Sequence, residues 1–412
     1  MRSAVDAILQ WHKTVRSPDL PRKLEKMSET AFRFFRGTFF LYAQDLKGEF
    51  GRVKPLAESG RIVGDLHTEN YGTFRAVTGD VVYDINDFDE TTVAPYEYDV
   101  RRLAVGLVLA AEENGHRFGD GLNAAEFAIR AWIDSLHRWY GVSRKKFASI
   151  EATHPARQLL GSARIADRVE FLKTLVVQDE GYGFVIRPSK EFSDVSKEEK
   201  RRIAEAVPFF FQHCTAPKAA QLVKYKLLHV MHRVAGNGSL GRVRYALLFD
   251  NGRAKHPGWE HLRLIEWKQS LDSALDASRP EAGRKRAENV YAAETAFQLF
   301  PKRYLGHTRI GKMPMQGREI GANDARFKHA DFQELEAFDS AATMFGQILA
   351  RNHLLGARPS DAPGAIPARI GERLDRYVNS VLRFAASYSD QVCTDHDELK
   401  RRQGEVAKAW KQ

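Results

Sequence analysis

The sequence predicts a mixed α+β fold, and three features carry that reading. Short apolar runs break into polar loops at 62–70 and 81–90, the pattern of hairpin strands. A longer strand–turn–strand pattern starts near Tyr225, and a third strand follows it and ends at Lys268. Helical runs flank these strands, at 99–111, 123–140, 280–300 and 338–355.

Composition narrows the function classes. At 412 residues with 43% hydrophobic content, the chain is long enough for substantial cores. Sixty-three Lys and Arg against 53 Asp and Glu give a formal charge of +10, so the surface attracts anions. Nucleotides, nucleic acids and acidic headgroups all fit that sign. The basic residues are dispersed, with no basic-aromatic tract, which disfavours a nucleic-acid platform. Only Cys214 and Cys393 occur, far apart, so neither a disulfide framework nor a cysteine zinc site is expected, and a reducing cytoplasm is the expected compartment. The first residues lack a signal-peptide pattern and no apolar run reaches membrane-spanning length, so no membrane insertion is expected.

Residues 24–46 hold Phe32, Phe34, Phe35, Phe39, Phe40 and Tyr42 and read as one buried helix, with Arg33 and Arg36 pairing with carboxylates of the acidic loop at 84–90 or reaching a phosphate. Next, the run at 62–70 delivers Asp65 and, five positions on, Asn70. The run at 81–85 leads into Asp84, Asp87, Asp89 and Glu90. Four acidic side chains within seven residues repel one another and need a cation or an arginine to hold them together. Carboxylate and amide oxygens are what magnesium takes, a few at a time, alongside phosphates. The helix after Asp99 stops at Asn114 and Gly115, and Asn123 with Glu126 reads as the cap of the next. Between 143 and 224 no chemical motif is legible. Ser196 and Glu199 cap a charged helix with a solvated face, and 179–187 reads as a hairpin over the site.

From Tyr225 onward the chain is richer in signal. Gly236, Gly238 and Gly241 punctuate two strands, with Ser239 among them and Val243 just after. A Rossmann turn opens a helix; here 242–249 is β-branched, aromatic and aliphatic, so a hairpin is expected. Glycines suit a turn that closes its backbone over phosphates. On the helix at 280–300, Val290, Glu294 and Phe297 share one face, so Glu294 needs a buried partner, and Lys268 is the expected one, with Glu288 on a more polar side as the alternative to Glu294. Residues 304–320 read as a connection, with 313–317 near a nucleotide base. The helix at 338–355 and a helical tail from 369 complete the chain.

These motifs carry a resemblance. GDLHTEN, residues 64–70, resembles the catalytic loop of protein kinases and of aminoglycoside and choline phosphotransferases, which puts Asp65 in the base position and Asn70 in the metal position. Asp87 resembles the aspartate of the kinase DFG motif, with Asp84 and Asp89 as further metal candidates; Asp99 resembles the structural aspartate of the next helix. Gly236, Gly238, Gly241 and Val243 match the kinase pattern GxGxxGxV, Lys268 the phosphate-binding lysine, and Glu294 its helix partner. Two departures stand out: Val63 replaces the kinase histidine, and Phe88-Asp89 stands where kinases carry Phe-Gly. The whole chain resembles the bacterial family called domain of unknown function 2252, whose members share GDxHxxNxG followed by DINDFDET.

The resemblance implies a kinase-like two-lobed fold in circularly permuted order. A small β-rich lobe would span 225–320, and a helical lobe would combine 1–224 with 321–412. It implies an ATP- and magnesium-dependent phosphotransferase acting on an unknown hydroxyl of a small molecule or protein. Alternatives are a nucleotide-binding pseudokinase and an AMP-transferring protein with a regulatory role. The permuted order requires Lys268 and Asp87 to lie within reach of one nucleotide.

Overall fold

The computed structural model describes residues 2–13, 20–52, 54–56, 58–143, 147, 154–179, 183–216, 225–235, 241–252, 258–276, 285–328, 330 and 333–411. Four helices come first: α1 (Ala4–His12), α2 (Leu20–Glu29), α3 (Ala31–Gly37) and α4 (Phe39–Asp45). The aromatic segment expected as one helix is therefore three. Thr30 caps α3 by accepting from Arg33 N at 3.1 Å, and Thr38, which bonds back to Phe34 O at 2.7 Å, breaks the path before α4. These turns let all six aromatic rings reach the core.

Strands β1 (Ser59–Ile62), β2 (Tyr71–Arg75), β3 (Val81–Ile85) and β4 (Thr92–Pro95) follow. Helix α5 (Glu97–Glu113) stops at Asn114, with Gly115 at φ +81° as the turn residue. Helix α6 (Phe118–Trp139) starts earlier than Asn123, because Asp120 accepts from Arg117 N at 3.0 Å and supplies the cap. Next come α7 (His154–Ile165), α8 (Arg168–Leu175), β5 (Val176–Asp179), β6 (Gly183–Ile186), β7 (Phe192–Asp194) and α9 (Lys197–Gln212). The second half contains β8 (Lys226–Arg233), β9 (Arg244–Asp250), β10 (Leu262–Gln269), α10 (Arg286–Phe297), β11 (Gly306–Ile310), β12 (Met313–Glu319) and β13 (Ala325–Arg326). The last helices are α11 (Leu335–Gly356), α12 (Ile366–Ile370), α13 (Leu374–Arg401) and α14 (Gln403–Lys411).

The fold is mixed α+β. Its main sheet has the antiparallel order β11-β12-β10-β9-β8-β7. Ile203, Val207 and Phe210 of α9 cover one face, so that helix is solvated on one side only. The β5–β6 hairpin forms where 179–187 predicts one, but Phe184 and Ile186 pack on the other face of the sheet with Leu172 of α8 and Leu248, away from the acidic loops. The sheet thus takes one strand, β7, and cover on both faces from before residue 225. Residues 304–320 are not a connection but the β11–β12 hairpin, since Gly306, Thr308 and Ile310 turn inward while His307 and Arg309 turn outward, the period of a strand.

The helical core centres on α5, which is almost wholly buried, Arg101 and Arg102 included. Helices α6, α11 and α13 surround it. A Cβ on Gly346 of α11 would meet Ala128 O of α6 at 2.1 Å, so glycine sets how closely those helices approach. The two ends of the chain interlock: Arg2 pairs with Asp395 at 2.8 Å, Ser3 Oγ donates to Glu398 at 2.5 Å, and Arg402 pairs with Asp6 at 3.0 Å. Among the described residues no helix is long and apolar enough to cross a membrane.

Candidate functional site

The loop after β1 is held from three helices. Asp99 of α5 accepts from Val63 N at 2.7 Å and Gly64 N at 2.8 Å. His353 of α11 donates Nε2–H to Asp99 at 3.0 Å, and Trp132 of α6 donates Nε1–H to His353 Nδ1 at 3.1 Å. These contacts fix the histidine tautomer and fully bury the chain of groups. Gly64 sits at φ +97°, and a Cβ there would meet Glu90 O at 2.3 Å, so the loops carrying Asp65 and Asp87 cross at a point only glycine allows.

At Asp65, Arg102 donates Nε–H at 3.0 Å and Nη2–H at 2.6 Å, both to Oδ1. The guanidinium lies 3.4 Å from the Phe35 ring centre and also donates to Phe35 O. Burial pushes the Asp65 carboxyl above the usual range against the pull of Arg102. Asn70 donates from Nδ2 to Asp65 O at 2.8 Å, which leaves its amide oxygen for another ligand. Burial and the nearby Arg36 and Arg102 keep His67 neutral, and Arg36 Nε donates to His67 Nε2 at 3.3 Å. Arg36 also pairs with Glu69, and Arg33 with Glu29 four residues before it, rather than with the acidic loop as expected.

The acidic loop divides. Asp84 turns back to α11, where Arg351 Nη2 lies at 2.6 Å and Asn352 Nδ2 donates at 2.9 Å, so this metal candidate is an anchor outside the cavity. Asp87, Asp89 and Glu90 turn outward. Lys268 at the end of β10 pairs with Asp89 and lies 3.7 Å from Asp87, while Arg242 reaches Asp89 at 3.1 Å and Glu90 at 2.9 Å. Burial alone would raise the Asp87 carboxyl, but Lys268, Arg326 and Arg318 outweigh it and hold it well below the usual range. Burial opposes charge on Arg242, yet Asp89 and Glu90 keep its pKa raised.

The expected Lys268–Glu294 pair does not form. Glu294 accepts from Gln316 at 2.9 Å and pairs with Lys302 at 3.2 Å, which satisfies its buried carboxylate. Lys268 turns instead to the closer cluster of acids. Helix α10 serves the site differently, as a clamp: Arg286 donates to Leu271 O at 2.8 Å, Thr91 O at 2.7 Å and Asp89 O at 2.5 Å, and Phe297 stacks on Phe88.

A cavity of about 110 Å³ gathers Asp65, Asn70, Asp87, Asp89 and Glu90 with Gly241 and Arg242. Lys23, Arg36 and Arg326 also border it. A second cavity of about 10 Å³ lies behind Asp87, bordered by Lys268, Glu294 and Gln316; Asp87 faces both. Val243 packs against the sheet core. Gly236, Gly238 and Ser239 lie outside the described residues. Among the described residues no three His, Cys, Asp or Glu side chains converge as a metal cluster. The donors present, an ionised Asp87 and the Asn70 amide oxygen, suit magnesium, which binds through few protein oxygens when phosphates supply the rest.

Sequence reasoning passes over Arg102, Arg242 and Arg286. Arg102 leaves a trace, a basic pair inside the otherwise apolar VRRLAVGLVLAA. Buried Glu266 leaves one too, two residues before Lys268 on the same strand face; Arg233 at 2.7 Å and Arg244 at 2.9 Å bind it.

A family model described as "Uncharacterized protein conserved in bacteria (DUF2252)" matches residues 16–402. The chain belongs to this family. The family match spans both segments that meet at the cavity, the one carrying Asp65 and Asp87 and the one carrying Arg242 and Lys268. No curated protein and no solved structure matches the chain.

Proposed function

We propose that the protein is an ATP- and magnesium-dependent phosphotransferase with a kinase-like, circularly permuted two-lobed fold. The observation that carries this reading is the meeting of Lys268 with Asp87 and Asp89, 3.7 Å from the first, beside the cavity that holds Asp65 and Asn70. Both guanidinium bonds fall on Asp65 Oδ1, and among the described residues Oδ2 accepts none, which supports Oδ2 as the oxygen that takes the proton in this reading. The acceptor hydroxyl oxygen bonds to the γ-phosphorus, the bond to the bridging β–γ oxygen breaks, ADP leaves, and the hydroxyl proton passes to Asp65. Asn70 and Asp87 would hold magnesium, which would neutralise phosphate charge, and Lys268, now on the carboxylates, would turn to the phosphates. About 110 Å³ is below the roughly 300–1,000 Å³ of whole-ligand pockets, so this cavity takes the phosphate chain and its cation, with the nucleoside outside. The acceptor is a hydroxyl of a small molecule or a protein.

Thermal unfolding with ATP, with and without magnesium, tests the proposal together with turnover of radiolabelled ATP. Ligand at about 100 times Kd stabilises by about 2.7 kcal/mol. Asp87→Asn is expected to lose the magnesium-dependent part, and Asp65→Asn to keep binding while losing turnover. No stabilisation by ATP with magnesium overturns the reading.

A second reading, a nucleotide-binding module without transfer, draws on the cations already seated on Asp89 and Glu90. Tight magnesium-nucleotide binding with neither phosphate nor AMP appearing on any product by mass spectrometry favours it.

A further inference from the structure

The backbone just before Asp87 is held from the C-terminal end of α10, by groups that play no part in the steps above. Gln298, the residue after α10, donates from Nε2 to Ile85 O at 2.8 Å, and Lys302 donates from Nζ to Asn86 O at 2.6 Å. The two donors are joined, since Lys302 N donates to Gln298 Oε1 at 3.2 Å. Both also meet Glu294, whose Oε1 lies 3.2 Å from the Lys302 ammonium and accepts from Gln298 Nε2 at 3.4 Å. Glu294 Oε2 takes the Gln316 amide, which ties the cluster to β12. Gln298, Glu294 and Lys302 are only 0%, 2% and 5% exposed, so removing either charge strands the other away from water. The Lys302 ammonium also lies 5.0 Å from the centre of the Phe74 ring on β2.

A second link carries this hold to the other metal candidate. Asn86 N–H donates to Asn70 O at 2.8 Å. Asn86 is therefore fixed through its carbonyl to Lys302 and through its amide to Asn70, and Asp87 is the next residue. Arg318 approaches the same carbonyl at 3.4 Å, a longer and weaker contact. Lys268 works at a different level, on the carboxylates of Asp87 and Asp89.

We propose that Lys302, seated by Glu294 and Gln298, is a positioning residue: it sets the backbone at 85–86 and with it the separation of Asn70 and Asp87. The proposal rests on the reading of those two residues as magnesium ligands, while the hold on the backbone stands on its own bonds. Magnesium demands near-octahedral geometry, so a loop released from Lys302 offers it a poorer pair of oxygens. Two lysines then divide the work, Lys302 for metal geometry and Lys268 for phosphate charge.

Two measurements on the full chain test this. Hydrogen exchange at the Asn86 amide needs no ligand, and it is expected to quicken about tenfold in Lys302→Met while staying within about twofold in Lys268→Met. Titration of manganese, read by its electron paramagnetic resonance in the presence of a non-hydrolysable ATP analogue, is expected to show metal bound about tenfold more weakly in Lys302→Met. Binding of the analogue without metal is expected to stay within about threefold in Lys302→Met and to weaken about tenfold in Lys268→Met. Where Lys302→Met does not fold, the charge-balanced Glu294→Gln/Lys302→Met chain carries the same expectations. Unchanged Asn86 exchange, unchanged manganese affinity, or an equal loss of metal-free analogue binding, which general loosening of the fold produces, overturns the proposal. If the original chain binds neither analogue nor manganese while Asn86 exchange still depends on Lys302, the phosphotransferase reading fails and the hold on the backbone stands. If it binds both and Lys302→Met leaves exchange and metal affinity unchanged, the positioning role alone fails.

Discussion

Asp65 shows how a single residue is tuned here. Arg102 approaches one carboxylate oxygen only and lowers a pKa that burial raises. Replacing Arg102 with Gln is expected to raise it further, which NMR of 13C-labelled aspartate reads directly, without reference to turnover. Because the folded-state pKa lies above the unfolded value, Asp65 favours the fold at low pH and ceases to do so as pH rises through the folded pKa. The cost of Arg102→Gln therefore sets in as pH rises through the folded Asp65 pKa and grows towards neutrality, to about 3–5 kcal/mol for a broken buried pair; urea unfolding at several pH values measures it. Asp65, Asn70 and Asp87 were legible because they fall in linear motifs. Their partners were not. Arg102 lies 37 residues from Asp65 and Lys268 lies 179 from Asp89, and nothing in either segment says that Lys268 meets the acids while Glu294 takes Lys302.

Helix α10 was legible as an element but not in its task. Its apolar stripe through Val290 and Phe297 predicts burial, and both residues are buried. Its contribution to the site comes instead from Arg286, whose three bonds to backbone carbonyls tie residues 89, 91 and 271 together. Arg286→Met is expected to destabilise by about 1–3 kcal/mol, the cost of leaving one buried carbonyl, Thr91 O, unpaired, since Leu271 O and Asp89 O are only partly buried. Urea unfolding gives the loss, and faster amide exchange confined to residues 85–91 shows the clamp opening. Boundary misreadings had local causes: Thr30 and Thr38 cut the aromatic segment, and Asp120 rather than Asn123 starts α6. The β11–β12 hairpin went unread because its glycines and basic residues hid a two-residue alternation.

At the scale of the whole molecule, the mixed α+β class follows from the sequence, whereas the nearness of Lys268 to Asp87 is what the kinase resemblance, not the residues of either segment, implies. The share of residues before 225 in the main sheet does not, because β7 is three residues long and α9 shows its charges more plainly than its apolar face. The interlocked ends give a direct test. A chain with its ends joined by a flexible linker of about ten residues and reopened at Gly115-His116, in the turn after α5, is expected to fold with a loss of about 1–2 kcal/mol. Thermal unfolding should fall by only a few degrees; reopening at Gly64-Asp65 should abolish cooperative unfolding. The same clasp ties the cavity wall to late residues. When Arg326 emerges from the ribosome, every side chain bordering the larger cavity has been made, yet α1 still lacks the helices that carry Asp395, Glu398 and Arg402. Trp11 and His12 sit on a helix anchored by those late residues, so a chain clipped before them is expected to hold its acids and its lysine but to lack one wall of the vessel.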